Sequence, residues 1–276
     1  MANLLRNKSA LLIYPVLFIW LVYCTFPFFW TFMTSIKNPV DAFSNPPVWV
    51  FEPTAANYAG LWLEFGFNTF LWNSVIVTLG VVVISLSIGC LAGYALARYS
   101  GKLGFVLLLL ALVFRSLPHT VFLIPYYEFT RITGLYDTHL VLIMILVAIN
   151  QPFTIWMMRS FFMNIPKELE ESAMMDGCNQ FQAFLRAIVP VMWPGIITTG
   201  LFTFLLAYNE FLIPLTLTAT DAATMPVAIS QFGADDIKYW SMSAAGAVSI
   251  TIPILALIIV FQKKIVSGLV AGAVKG

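Results

Sequence analysis

Long apolar runs alternate with short polar interruptions along the chain. Six stretches reach the roughly 20 mostly apolar residues that a spanning helix needs: 10–33, 69–96, 104–127, 139–161, 191–217 and 241–262. Between them lie a proline- and aromatic-rich loop at 34–68, a short turn at 128–138, a polar stretch at 162–190 and a second polar loop at 218–240. The pattern predicts an all-α membrane protein with six transmembrane helices. Arg6 and Lys8 precede the first run, as in a signal peptide. That run is longer than an h-region of about 7–15 residues and lacks a small-x-small cleavage site, so a retained helix is expected.

Composition strengthens the assignment. The 276 residues are 60% hydrophobic and only 10% charged, with a mean hydropathy of +0.89. A soluble domain carries about 25% charged residues, so this chain has too little polar surface to cover a water-soluble globule. A net charge of +1 gives a nucleic-acid partner no support. Cys24, Cys90 and Cys178 form no CxxC or Cys/His spacing, and neither His119 nor His139 has metal-like neighbours. The cysteines therefore read as small apolar side chains rather than a disulfide framework or a zinc site.

Basic residues set the expected orientation. With the N-terminus inside, the inner segments hold ten: Arg6, Lys8, Arg98, Lys102, Arg159, Lys167, Arg186, Lys263, Lys264 and Lys275. The outer segments hold three, Lys37, Arg131 and Lys238, and Arg115 lies within a span. This bias predicts N-in, C-in and places 162–190 in the cytoplasm.

"ELEESAMMDGCNQFQAFLRAIVP", residues 168–190, concentrates charge in that segment: Glu168, Glu170, Glu171, Asp176 and Arg186. Pro166 suits a helix's first turn, and the glutamates lie toward the positive end of its dipole. Asp176-Gly177 ends the helix with a left-handed cap. Asn179 and Gln182 have capping-box spacing for a second helix, whose Phe181, Phe184, Leu185 and Ile188 would share one apolar face before Pro190 closes it. The expected product is a helix–turn–helix at the membrane surface. An amphipathic loop resting on lipid headgroups is the alternative. Surface-lying helices are usually basic on their polar face, and this one is acidic, which favours a protein partner.

Polar groups inside spans call for a functional reading. Arg115 lies about 11 residues into the third span, near mid-depth, and Glu210 lies near the outer end of the fifth. At ~1.5 Å per residue the two differ in depth by roughly 12 Å, so direct pairing requires Pro118 or Pro214 to break a helix. Asn209 and Glu210 could line an outer cavity or form an interfacial capping pair. Pro118, Pro125, Pro152, Pro214 and Pro253 permit kinks, and Gly89 and Gly93 form a GxxxG that permits close helix contact. No G-x-x-x-x-G-K-[ST] is present, so the chain lacks a loop for ATP phosphates. An ion-coupled carrier acting without an ATPase would need its carboxylates near the midplane, where Glu210 does not lie. No paired carboxylates, HExxH or Ser/His constellation points to an intramembrane enzyme.

"EESAMMDGCNQFQAFLRAIVP" resembles the EAA loop of ABC-importer permease subunits, in which E-A-A is followed by three residues, G, nine residues and I-x-L-P. Glu171-Ser172-Ala173, Gly177 and Val189-Pro190 occupy those positions, with Ser172, Ala187 and Val189 as departures. "PTAANY" (53–58), "NSVIVT" (73–78), "AGYALAR" (92–98), "FLIPYY" (122–127), "YNEFLIPLTL" (208–217) and "GLVAGAVKG" (268–276) also resemble carbohydrate-type permeases, and the chain is similar to their MalG-like group over nearly its whole length. The resemblance implies a type I ABC importer permease fold in the bacterial inner membrane. It divides the chain into an N-terminal helix and external loop (1–68), a transmembrane core (69–262) with the EAA loop at about 162–190, and a cytoplasmic tail (263–276). It further implies a heterodimer with a second permease, two ATP-binding subunits that use ATP and Mg, and an extracytoplasmic solute-binding protein. The chain itself would bind no cofactor and would not be an enzyme. ATPase-coupling positions would be Glu168, Glu171, Ser172, Ala173, Met174, Asp176 and Gly177. Arg115, Asn209 and Glu210 are candidates for the substrate pathway. Gly233, Asp235, Asp236 and Lys238 are candidates for binding-protein contact, and Ala271–Gly276 for a tail reaching the ATPases.

Overall fold

The computed structural model describes residues 8–98, 101–232 and 237–273. Its helices are α1 (Lys8–Ser35), α2 (Pro39–Phe43), α3 (Ala56–Ala59), α4 (Phe67–Arg98), α5 (Lys102–Arg115), α6 (Leu123–Thr133), α7 (His139–Phe162), α8 (Glu168–Met175), α9 (Gln180–Ala183), α10 (Val189–Tyr208), α11 (Leu212–Leu217), α12 (Met225–Ser230) and α13 (Ile237–Ala273). Among the described residues, five segments are long and apolar enough to cross a membrane: Ile13–Ser35, Phe67–Arg98, His139–Phe162, Gln180–Tyr208 and Tyr239–Gln262. A sixth is counted if Lys102–Arg115 and His119–Thr133, bent by 88°, form one span. The protein is thus an all-α membrane protein with five to six apolar spans. Two compact units emerge, residues 1–68 with 228–252, and 69–227 with 253–276.

In the first unit, α1 exposes apolar side chains all round, from Ile13 to Phe32, as a helix solvated by lipid tails does. The loop after it is ordered by polar pairing. Asn57 Nδ2 donates to the carbonyls of Ser35 (2.8 Å) and Lys37 (2.7 Å), and the Ser35 and Tyr58 hydroxyls meet at 2.8 Å. Lys37 is buried, with its ammonium 5.0 Å from the Trp30 ring and 4.9 Å from the Phe51 ring. Aromatic faces solvate that charge.

The second unit is built on a close seam between α4 and α7. A Cβ added at Gly80 would lie 2.6 Å from Ile143, at Gly89 2.7 Å from Thr154, and at Gly93 2.7 Å from Met158 and 2.9 Å from the backbone nitrogen of Arg159. The GxxxG pair is therefore used, and Gly80 extends it along the helix. Small residues let two spans approach where lipid offers no hydrophobic driving force. Val77, Val81, Val141, Leu142, Ile145 and Leu146 fill the seam, and the Thr154 and Thr203 hydroxyls meet at 3.2 Å to join α7 to α10.

Two predicted spans differ from the structure. The third is not straight: α5 stops at Arg115, and Pro118 takes φ −56°, ψ 124°, outside the helix. Proline has no N–H to continue the ladder and biases its predecessor away from helical angles. The fifth begins and ends earlier than 191–217. It runs as one segment from Gln180 to Tyr208, and α11 follows separately. Pro190 does not close the helix, because a π-helical turn at Phe184–Ile188 directly precedes it. The wider turn leaves room for the ring at the start of α10, where the missing N–H is tolerated. Pro214 lies in the first turn of α11, where N–H groups have no intrahelical partner in any case. A helix start is what that proline fits, and the span breaks accordingly at Asn209–Phe211.

At the opposite end of the seam the loop after α11 is pinned by side chains. Asp137 accepts from the backbone N–H groups of Thr220 (2.9 Å), Asp221 (3.0 Å) and Ala222 (3.0 Å). Asn73 donates to the carbonyls of Asp221 and Ala223, both at 2.9 Å, and meets His139 Nε2 at 2.7 Å. Ser74 Oγ accepts from Met225 N at 2.9 Å. Burial alone would raise the Asp137 pKa, but the N–H groups of Asp221, Thr220, Ala222 and Ala219 outweigh it and bring the carboxyl from 3.8 down to about 2.

The seam predicts that Gly93→Leu destabilises the protein by about 1–3 kcal/mol, read as a melting temperature lowered by several degrees in detergent. Gly101→Ala, where an added Cβ meets nothing within 4 Å, should leave it unchanged. The Asp137 contribution is complete above the ordinary carboxyl pKa and is lost as pH falls from about 4 through about 2. Asp137→Asn should cost ~1–2 kcal/mol at neutral pH, discounted for partial exposure. Thermal melts from pH 7 to pH 2 should converge with those of the wild type at the acid end.

Candidate functional site

The polar stretch folds as two short helices joined by a tight turn. Asp176 caps α8, and Gly177 follows at φ +89°. The Gly177 N–H donates to Met174 O (3.0 Å) and the Cys178 N–H to Ala173 O (3.1 Å). This is the paired bonding of a Schellman cap, which needs a left-handed residue that only glycine takes without strain. Asn179 and Gln182 then bond reciprocally, Gln182 N to Asn179 Oδ1 at 2.9 Å and Asn179 N to Gln182 Oε1 at 3.0 Å. Pro166 lies before the first helical residue rather than within the first turn. The expected single apolar face is split. Phe184 and Ile188 are buried with Met158, Phe162, Ile165 and Met192, while Phe181 and Leu185 are exposed. The π turn changes the angular spacing within 184–188, so a strict 3.6-residue period does not apply there.

Of the named coupling positions, Glu168, Glu171, Ser172, Met174, Asp176 and Gly177 are exposed and Ala173 is half-buried. The sequence reading missed Glu170, which is 6% exposed. Its carboxylate accepts from the Tyr94 hydroxyl and from Arg98 Nε at 3.0 Å. Arg98 also donates to the carbonyls of Phe162 (3.3 Å) and Ile165 (3.1 Å), at the end of α7. Tyr94 packs edge-on to Phe162 and tilted against Phe184, with centroids 5.7 and 4.7 Å away. Leaving one member of such a buried pair without its partner costs about 3–5 kcal/mol. A signal for it existed in "AGYALAR", where Tyr94 and Arg98 are spaced i, i+4 and so share a helix face.

The second cluster lies at the elbow between α5 and α6. Arg115 Nη1 donates to Ile149 O (2.9 Å) and Asn150 Oδ1 (3.0 Å), and its guanidinium lies 5.4 Å from the centroid of Phe153. A cavity of about 370 Å³ opens beside it, lined in part by Phe114, Arg115, His119, Phe122, Tyr126 and Pro152. The break at Pro118 brings His119, which had no assigned role, to within 3.9 Å of Glu210. Asn209 and Glu210 also serve as caps. Asn209 Nδ2 donates to Leu205 O (2.8 Å), and Glu210 Oε1 accepts from Ile213 N (3.4 Å). Gly233, Asp235 and Asp236 lie outside the described residues, as do the side chain of Lys238 and the end of the tail, Val274–Gly276.

Comparison with known proteins gives a consistent result. Residues 85–269 match the family described as "Binding-protein-dependent transport system inner membrane component". The diacetylchitobiose uptake system permease protein DasC of Streptomyces coelicolor is 39% identical over 274 residues, covering 95% of this chain and 94% of the relative. The trehalose transport system permease protein SugB of Mycobacterium tuberculosis is 38% identical over 259 residues, covering 92% and 93%. Among solved structures, a chain of a bacterial ABC transporter involved in the import of alginate superposes with a TM-score of 0.75. It is 21% identical, with 93% of this chain and 98% of that chain covered, a likeness of fold. The family match over most of the core, the near full-length relatives and the shared fold establish that this chain belongs to the binding-protein-dependent transport system inner membrane component family.

Proposed function

We propose that the chain is a MalG-like permease subunit of an ATP-driven importer for a sugar, oligosaccharide or polyol. Relatives named for diacetylchitobiose and trehalose uptake support the substrate class. In this reading the chain lies N-in, C-in in a bacterial inner membrane, and residues 69–262 form the core. A second permease completes the pore, two ATP-binding subunits hydrolyse ATP with Mg, and a solute-binding protein delivers cargo from outside. The chain is not itself an enzyme.

The observation that carries the reading is the helix pair at 168–188. Its first helix has an exposed acidic surface at Glu168, Glu171 and Asp176, while Glu170 ties it to α4 and α7. A segment that is polar outward and anchored inward suits a protein partner. Glu168, Glu171, Ser172, Ala173, Met174, Asp176 and Gly177 form the face offered to an ATPase cleft. The elbow cavity with Arg115, His119 and Tyr126 is a section of the substrate pathway. It joins aromatic walls to a few polar groups, a common composition for ligand pockets, and Glu210 stands behind His119. Gly233, Asp235, Asp236 and Lys238 remain the proposed contact with the binding protein.

Purification of the tagged chain from native membranes should bring down an ATPase subunit and a second permease. The reconstituted complex should show ATP-dependent, vanadate-sensitive sugar uptake. Uptake by this chain alone under an ion gradient would overturn the reading. Gly177→Pro cannot adopt the observed positive φ or donate the Gly177 N–H, and Glu171→Lys reverses an exposed charge. Both variants should insert normally yet lower uptake at least tenfold while ATP hydrolysis continues. Normal uptake in both would reduce the loop to a lipid-resting segment.

A further inference from the structure

We infer that Glu170 is a positioning residue. It fastens α8 to α4 and to the end of α7, so that the coupling helix and these spans move as one body. The inference rests on the coupling role proposed above and assigns a different task to a residue beside the exposed coupling face. Three glutamates occupy the first turn of α8, but only Glu170 turns inward. The side chains of Arg98 and Glu170 are 5% and 7% exposed, too enclosed to meet a partner subunit directly.

The geometry gives one carboxylate an unusual reach. Through the Tyr94 hydroxyl and Arg98 Nε it holds the last two turns of α4. Through Arg98 it is linked to the Phe162 and Ile165 carbonyls, where α7 runs out. Carbonyls at a helix end lack intrahelical partners, so a guanidinium placed there serves α7 as well as α8. Without this fastening, packing against the turn at Phe184–Ile188 is left to set the angle of an eight-residue helix, and isolated helices of that length are marginal. Gly177, in the left-handed region with nothing within 4 Å of a would-be Cβ, would then act as a swivel. A swivelling helix absorbs the movement of an attached ATPase, whereas a fastened one passes it to α4 and α7.

The test uses the reconstituted importer with Cys24, Cys90 and Cys178 replaced and spin labels at Met175→Cys, an exposed position of α8 outside the proposed coupling face, and Ser87→Cys on α4. Wild-type Glu170 should give one narrow distance that stays the same with and without ATP. Glu170→Gln should broaden that distribution and lower uptake more than tenfold while retaining ATP hydrolysis. Tyr94→Phe, which keeps the ion pair, should lie between the two. Wild-type uptake in Glu170→Gln, or a wild-type distance that changes between nucleotide states, would overturn the inference. So would a Glu170→Gln chain that fails to assemble beside a Tyr94→Phe chain that transports normally, since Glu170 would then serve folding alone. If the wild-type complex shows no ATP-driven uptake, the coupling reading falls, and the distance measurement still decides whether Glu170 fastens the helix.

Discussion

The close approach of α4 and α7 is the constraint on which the second unit depends. Gly80, Gly89 and Gly93 remove the side chains that would otherwise hold the two helices apart. Two polar assemblies rely on that spacing. At one end Tyr94 and Arg98 reach Glu170 and the carbonyls that finish α7. At the other, Asn73 meets His139 and joins Asp137 in holding the loop at 220–223. Hydrogen-bond geometry tolerates only a few tenths of an ångström, so both ends inherit their accuracy from glycines that carry no chemistry themselves.

Local features were legible in the sequence where one short-range rule acts alone. The Gly177 cap and the Asn179–Gln182 box depend on residues within a few positions of one another, and both formed as spacing predicts. The apolar runs located the spans other than the third and the fifth, because lipid demands that backbone groups be satisfied within a helix. Glu170 was not legible. Its sequence neighbours Glu168 and Glu171 look equivalent, and only the packing of α8 on distant Tyr94 and Arg98 separates a buried carboxylate from exposed ones.

The elbow at Pro118 shows the complementary failure. A depth reckoned along a straight helix separates Arg115 from Glu210, but the chain turns by 88°. A residue without an assigned role, His119, becomes the neighbour of Glu210. Proline positions mark where a helix can break, while the direction taken afterwards is set by what the freed segment packs against. Pro190 makes the same point in reverse, since a preceding π turn lets the helix continue through it.

That π turn also changes how the rod from Gln180 to Tyr208 is phased. One extra residue per hydrogen-bonded loop shifts the angular register of everything before it relative to everything after. The stretch that packs Phe184 and Ile188 beside α8 and the stretch that packs Thr198 and Thr203 in the core need not share one stripe. A single uninterrupted rod can thus present two differently aimed faces, one to the helix pair and one to the spans, with no loop between them to lose motion.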